Sequence, residues 1–143
     1  NLRFELFTRK PSYVLLNKDN PLAKRESLSY KDLRQEKFLL VNEQFKRYHN
    51  AVNGCRRYGF EPEIVHTSYH AIVLTNWINR NSGVTFFTRA TAMAHITPNV
   101  VLVPMAPEDN ADWECGVVVK KNGLQKQVVR EFRKYLQEIK DSI

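Results

Sequence analysis

Two histidines four residues apart, His66 and His70, are the first candidates for chemistry in this chain. On one helical turn such a pair can hold a zinc ion if a further ligand stands nearby. The context does not support it: Ile64 to His66 reads as a strand, the helix begins after it, and no carboxylate follows at a useful spacing. Surface or boundary histidines fit better, and no metal is expected. Cys55 falls on the apolar face of a helical pattern, which suits a buried structural thiol. A redox sensor needs an exposed thiolate and a resolving partner, and nothing nominates Cys115 for that role. There is also no Gly-rich phosphate loop, no Gly-x-Ser-x-Gly elbow and no His-Glu-x-x-His helix. The expectation is a protein that is not an enzyme and carries no cofactor.

The basic residues offer a second kind of chemistry. Between Gln44 and Phe60 the cations Lys46, Arg47, Arg56 and Arg57 stand without an acid. A DNA-reading helix needs such charge, but it also needs a helix-turn-helix partner. Here the preceding stretch reads as strand and loop. From Lys120 to Ile143 there are seven cations and three acids, which fits the solvated face of an amphipathic helix whose last turns favour cations.

A third kind is polar recognition at strand ends. In layered α/β domains ligands sit where helix N-termini follow the carboxyl ends of strands and present unpaired N–H groups. Three places fit: Asn42, Glu43 and Gln44 after a strand ending at Val41; Thr67 and Ser68 after one ending at His66; Thr88 and Arg89 after one ending at Phe87. An anionic small molecule would find donors at Ser68 and Thr88 and a charge at Arg89. Plain N-capping explains Ser68 and Thr88 equally well one by one.

These groups need elements to hold them. Leu2, Phe4 and Leu6 alternate with Arg3 and Glu5 as a strand, and Tyr13 to Leu16 is a second, ended by the turn residues Asn17 to Pro21. Ser29 is an N-cap with Asp32 in the first turn of a helix of two turns at most. Phe38 to Val41 is a buried strand. Phe45, Tyr48, Val52 and Cys55 mark one face of a helix to Tyr58, stopped by Gly59. After Ile64 to His66, Thr67 or Ser68 caps a helix to about Asn79, whose Ile72, Val73, Leu74, Trp77 and Ile78 predict deep burial. Val84 to Phe87, Ala90 to Ile96 and Val100 to Val103 continue as strand, short helix and strand. After the polar loop Asp109 to Asp112, Cys115 to Val119 is a strand. A last helix runs from about Leu124 to Lys140, with Leu124, Val128, Phe132, Tyr135, Leu136 and Ile139 on one side. The alternation predicts α/β layering with parallel strands.

The 143 residues are 43% hydrophobic and 11% aromatic, enough for a core. A net charge of +7 raises contact with something acidic, although a soluble basic surface explains it too. Two cysteines are too few for a disulfide scaffold, and a reducing cytosol is the simpler compartment. The longest apolar run, Ile96 to Pro107, is broken by Pro98, Asn99 and Pro104 and falls short of the roughly 20 residues that span a bilayer. The chain opens at Asn1, already within a strand pattern and without a signal peptide; a cut through a larger protein is expected.

The order of these pieces resembles the LysR-type transcriptional regulators. Leu6-Phe7 through Tyr13-Val14-Leu15-Leu16 to Asn20-Pro21-Leu22-Ala23 stands where that family has a His-Pro-Leu-Ala pattern after its first crossover strand. Leu33, Phe38-Leu39-Leu40, Cys55, Gly59-Phe60-Glu61-Pro62 and Ile64-Val65 follow in order. Asn81-Ser82-Gly83-Val84-Thr85-Phe86-Phe87 stands at the family's Gly-x-Gly segment, and Asn99-Val100-Val101-Leu102-Val103-Pro104 with the last helix completes the likeness. No element is specific alone; six or more in register are. Asn81 replaces the first glycine, a mild change since Asn tolerates the left-handed conformation. Thr88 replaces a proline, which implies a more polar wall.

The resemblance implies an effector-binding domain with the two-lobed α/β fold of type 2 periplasmic binding proteins. One Rossmann-like lobe, about residues 12 to 97, would be complete. The other would be only partly present, as a returning strand and helix over about residues 105 to 143. Crossovers would run over about Phe7 to Leu16 and Thr97 to Pro104. A small anionic inducer would bind in the interlobe cleft at Asn42, Glu43, Gln44, Phe45, Thr67, Ser68 and Thr88. DNA would be bound by an N-terminal winged helix outside this chain, in a cytoplasmic homodimer or homotetramer with no membrane contact. A solute-binding protein of a transporter shares the fold, and a stand-alone module pairing through a strand edge or the last helix is a further alternative.

Overall fold

In a computed structural model of the chain, which describes residues 1–120, 122 and 126–142, seven strands and four α-helices alternate. The strands are β1 (Leu2–Lys10), β2 (Ser12–Asn17), β3 (Lys37–Val41), β4 (Glu63–Ser68), β5 (Thr85–Thr88), β6 (Val100–Pro104) and β7 (Trp113–Lys120). The helices are α1 (Lys46–Arg57), α2 (Ala71–Asn79), α3 (Arg89–Met93) and α4 (Gln127–Ile139). The chain divides into two compact units, Asn1–Lys10 with Asp112–Ile143 (unit 1), and Pro11–Ala111 (unit 2).

Unit 2 is built on strands that pair in the order β5-β2-β6 and β3-β4, joined through a parallel bridge between Phe38 and Val84. β3 and β4 run parallel, whereas β2 runs antiparallel to both β5 and β6. The parallel strands expected from the strand–helix alternation are present at β3 and β4, in a sheet that is mixed as a whole. The reason is that β2 enters from outside the βαβ units and faces no rule that its neighbours be parallel.

Two apolar clusters fill the two sides of this sheet. One gathers Val14, Leu16, Tyr30, Leu33, Phe38, Leu40, Val52 and Cys55; the other gathers Leu15, Leu39, Leu74, Ile78, Phe87 and Val100. The split follows the two-residue period of a strand, which sends Leu15 to one face and Val14 and Leu16 to the other. Each fully buried leucine or isoleucine contributes about 1.5–3 kcal/mol.

Helix ends follow local chemistry. Ser29 caps a single 3-10 turn, Tyr30–Leu33, in a reciprocal capping box with Asp32. Gly59 at φ 75° ends α1, and Asn81 at φ 55° follows α2, as the left-handed tolerance of these residues requires. Gly83 is needed for another reason: at φ 153° a Cβ there would lie 2.3 Å from the Lys37 carbonyl oxygen. Only glycine lets the backbone come close enough for the Val84 N–H to bond that carbonyl at 2.8 Å.

Other expectations are corrected. β4 continues through Ser68, so α2 is capped by His70, without a side-chain bond, and not by Thr67 or Ser68. α2 buries Leu74, Thr75 and Ile78 but leaves Ile72 and Trp77 half exposed, because it packs on the sheet by one face only. The two strands expected at the start are β1 and β2, which meet at Pro11, where the chain passes from unit 1 to unit 2. The chain returns to unit 1 at Asp112. Met105 and Ala106 are still buried, and Leu28 bonds to both flanks, its N–H to Pro104 O at 2.9 Å and its carbonyl to Ala106 N at 2.8 Å.

Unit 1 pairs β1 with β7 antiparallel and carries α4. Leu124, expected to open the last helical stripe, lies outside the described residues.

Candidate functional site

The geometry of the rim follows from parallel pairing. Because β3 and β4 run the same way with Val41 opposite Ser68, the loop after β3 and the turn at the end of β4 emerge side by side. Asn42 N–H donates to Ser68 O at 3.0 Å, and the exposed rings of Phe45 and Tyr69 meet edge to face at 6.1 Å. The parallel bridge of β3 to the start of β5 directs the far end of β5, with Thr88, toward the same end of the sheet. Asn42, Phe45, Thr67 and Ser68 are thus brought together, and Thr88 stands at the end of the strand on the other side of β3.

Several polar atoms of this rim are engaged locally. Asn42 Oδ1 accepts from Gln44 N at 3.1 Å, Ser68 Oγ accepts from His70 N at 3.1 Å, and Glu43 O contacts His49 Nε2 at 2.6 Å. Thr88 is buried and caps α3, its Oγ1 accepting from Thr91 N at 3.4 Å and lying 3.1 Å from Thr91 Oγ1. The side chains of Glu43, Gln44 and Thr67 are exposed. Arg89, in the first turn of α3, is exposed as well.

Sequence reasoning passed over a cation that reaches β5. Arg47, in the first turn of α1, donates from Nη1 to Phe86 O at 3.4 Å and holds its guanidinium 5.8 Å from the centre of the Phe87 ring. Burial lowers its pKa from the usual guanidinium value, while the neighbouring Tyr30 pulls the other way. The signal was present: Arg47 lies four and seven residues before Ala51 and Gly54, both buried in α1, so helical periodicity places it on the packed face.

A second missed group is Asp109, read from sequence as the start of a polar loop but only 4% exposed. Its carboxylate accepts from Ser29 Oγ, from Tyr30 N at 3.0 Å, from Tyr58 Oη at 3.0 Å and from Arg57 Nη2 at 3.3 Å. Burial disfavours its charge, yet these hydrogen bonds outweigh that cost and hold its pKa below the ordinary aspartate value. It ties three separate chain segments of unit 2 and is structural.

Cys55 is fully buried and its thiol is pushed up to about 12, chiefly by burial, which makes it inert at neutral pH. His66 is exposed and stacks near Trp77 at 5.6 Å. Among the described residues no group of three or more His, Cys, Asp or Glu is placed to hold a metal, and no helix is long and apolar enough to cross a membrane.

A mixed sheet carrying helices on both faces, with polar loops gathered at the ends of its parallel strands, is the architecture of a periplasmic-binding-protein-like lobe. The family model for the LysR substrate binding domain matches residues 1–140, and the chain belongs to that family. It is 24% identical over 140 residues to the malolactic fermentation system transcriptional activator of Lactococcus lactis subsp. lactis (strain IL1403), covering 97% of this chain and 47% of the relative. It is 31% identical over 117 residues to the transcriptional dual regulator GltC of Bacillus subtilis (strain 168), covering 82% of this chain and 38% of the relative. The chain thus spans less than half the length of these relatives. Among solved structures, the regulatory domain of Synechocystis CcmR in complex with 2-PG matches with a TM-score of 0.78 and 16% identity, over 100% of this chain and 69% of that one. At that identity the likeness is one of fold.

Proposed function

We propose that this chain is part of the inducer-sensing domain of a LysR-family transcriptional regulator, and that it recognises a small anionic metabolite instead of catalysing a reaction. The observation that carries this is the rim: the Asn42-to-Ser68 bond gathers backbone and side-chain polar groups at the carboxyl ends of β3 and β4 in a chain of this family. Asn42, Glu43, Gln44, Phe45, Thr67, Ser68 and Thr88 supply one wall of the site. Membership of the family and the regulatory function of both curated relatives favour this over a transporter's solute-binding protein. The description of the CcmR regulatory domain as a complex with 2-PG supports a small-molecule ligand.

Residues 11–111 then form the complete lobe and unit 1 belongs to the other. Effector binding shifts an equilibrium between two arrangements of a cytoplasmic homodimer or homotetramer, which requires different affinity for the two. DNA is contacted by a winged helix N-terminal to this chain. Titration of the full-length protein with candidate metabolites, alongside Ser68→Ala and Thr88→Ala, tests the site. Each hydroxyl that contacts the effector is worth about tenfold in affinity, and unchanged affinity in both variants removes these residues from it.

A further inference from the structure

We infer that Arg47 is the residue that neutralises the effector, and that the group it meets is a carboxylate; this rests on the effector-site reading above. Arg47 is partly buried on the packed face of α1, and withdrawing a cation from water is costly unless an anion or a set of acceptors compensates it. Arg47 has neither among the described residues. No Asp or Glu among the described residues lies within ion-pair distance of it. Of the five guanidinium donors, one makes a single long bond, to Phe86 O at 3.4 Å. The Phe87 ring, 5.8 Å from the guanidinium carbon, uses none of its N–H groups.

Its place in the sheet gives the unused donors a purpose. β3 is paired with β4 on one side and joined to the start of β5 on the other. The carboxyl ends of β3 and β5 therefore flank the point where the direction of strand succession reverses, and ligands of open α/β sheets bind at such a point. Arg47, the second residue of α1 after Lys46, reaches the backbone of β5. The seven proposed rim residues contain one acid, Glu43, and no cation; Lys46 beside Phe45 and Arg89 beside Thr88 are exposed, whereas Arg47 is partly buried and reaches β5, which places it to meet an anionic effector.

The charge balance selects the anion. One guanidinium neutralises one negative charge, and its fork matches the two oxygens of a carboxylate. A phosphate dianion would leave charge uncompensated beside Glu43, in a loop, Asn42 to Phe45, that has no glycine to expose a cradle of N–H groups.

The test is calorimetric titration of the full-length protein with acetate, succinate, citrate and benzoate, and in separate arms with glycerol 3-phosphate and with succinamide. Wild type is expected to bind at least one carboxylate and neither of the other two probes. Arg47→Gln should weaken that binding by about tenfold or more with its unliganded melting temperature near that of wild type. Arg47→Lys keeps the charge without the fork, should fall between them, and serves if the Gln variant does not fold. Arg56→Gln, at the other end of α1, should bind as wild type. Equal carboxylate affinity in wild type and Arg47→Gln overturns the role of Arg47 and leaves the effector site standing. Binding of the phosphate or the amide in place of every carboxylate overturns the ligand class. Binding of no probe overturns the effector reading itself.

Discussion

Unit 2 and unit 1 use similar proportions of apolar residues and reach opposite outcomes. Every buried residue recorded lies between Ser12 and Asp109, within unit 2, with leucines such as Leu15, Leu33 and Leu74 at 0% exposure. In unit 1 Leu2, Phe4, Val118, Val128, Phe132 and Tyr135 are all more than half exposed. The difference lies in layer count. Unit 2 places helices over both faces of its strands, so each strand's alternating residues all find cover. Unit 1 has two strands and one helix, and a two-stranded ribbon leaves one face open whatever covers the other. α4 is tethered to β1 by Arg133 and Glu5 at 2.8 Å, beside a groove of about 380 Å3 lined by Phe4, Leu6, Phe7 and Leu136.

Leu74→Ala cuts into the core of unit 2 and should lower its unfolding free energy by about 2–5 kcal/mol, read from a denaturant titration; a loss under about 1 kcal/mol would mean the core is not closed. The cysteines, one in each unit, give the next contrast. Cys55 should react with a thiol reagent at pH 8 about a hundredfold more slowly than the half-buried Cys115, a difference of about 2.7 kcal/mol. Matching rates would show that unit 2 opens as readily as unit 1.

Asp109→Asn should destabilise unit 2 by about 1–3 kcal/mol, since it weakens a hydrogen-bond set at a buried carboxylate. The sign with pH follows from the lowered pKa. The stability due to ionised Asp109 is fully present above its unfolded value of about 3.9 and is lost as pH falls through the lower folded value. Acid titration of wild type should show this loss below about pH 4, and Asp109→Asn should flatten it. The smallest effect belongs to unit 1: Phe132→Ser should change thermal stability by under about 0.5 kcal/mol while reducing self-association measured by light scattering. A core-sized penalty there would contradict the exposed face.

Much of this was legible without coordinates. The 3,4,3 spacing of Phe45, Tyr48, Val52 and Cys55 marked α1, Ser29 with Asp32 marked a cap, and Gly59 and Asn81 marked left-handed turns, because each depends on residues within a few positions of one another. α2 misled for the same reason: Ile72 and Trp77 are apolar, but whether an apolar face is covered depends on what packs opposite. Ser68 looked like a cap until pairing with β3 extended β4 through it. Asp109 looked like loop polarity because Ser29, Arg57 and Tyr58 are distant in sequence. Arg47 was hidden by its neighbours: as one of four cations in a basic stretch it read as solvated charge, although its register with Ala51 and Gly54 put it on the packed face.

Family, layering and the residues at the strand ends were therefore determined by the sequence itself, through local periodicity and the order of the elements. The direction of β2, the division at Pro11 and Ala111, the clustering of Asp109 with its donors and the approach of Arg47 to β5 were decided only in three dimensions. Those depend on which distant segments share one sheet and one core, and hydrogen-bond pairing and burial set that choice across the whole chain.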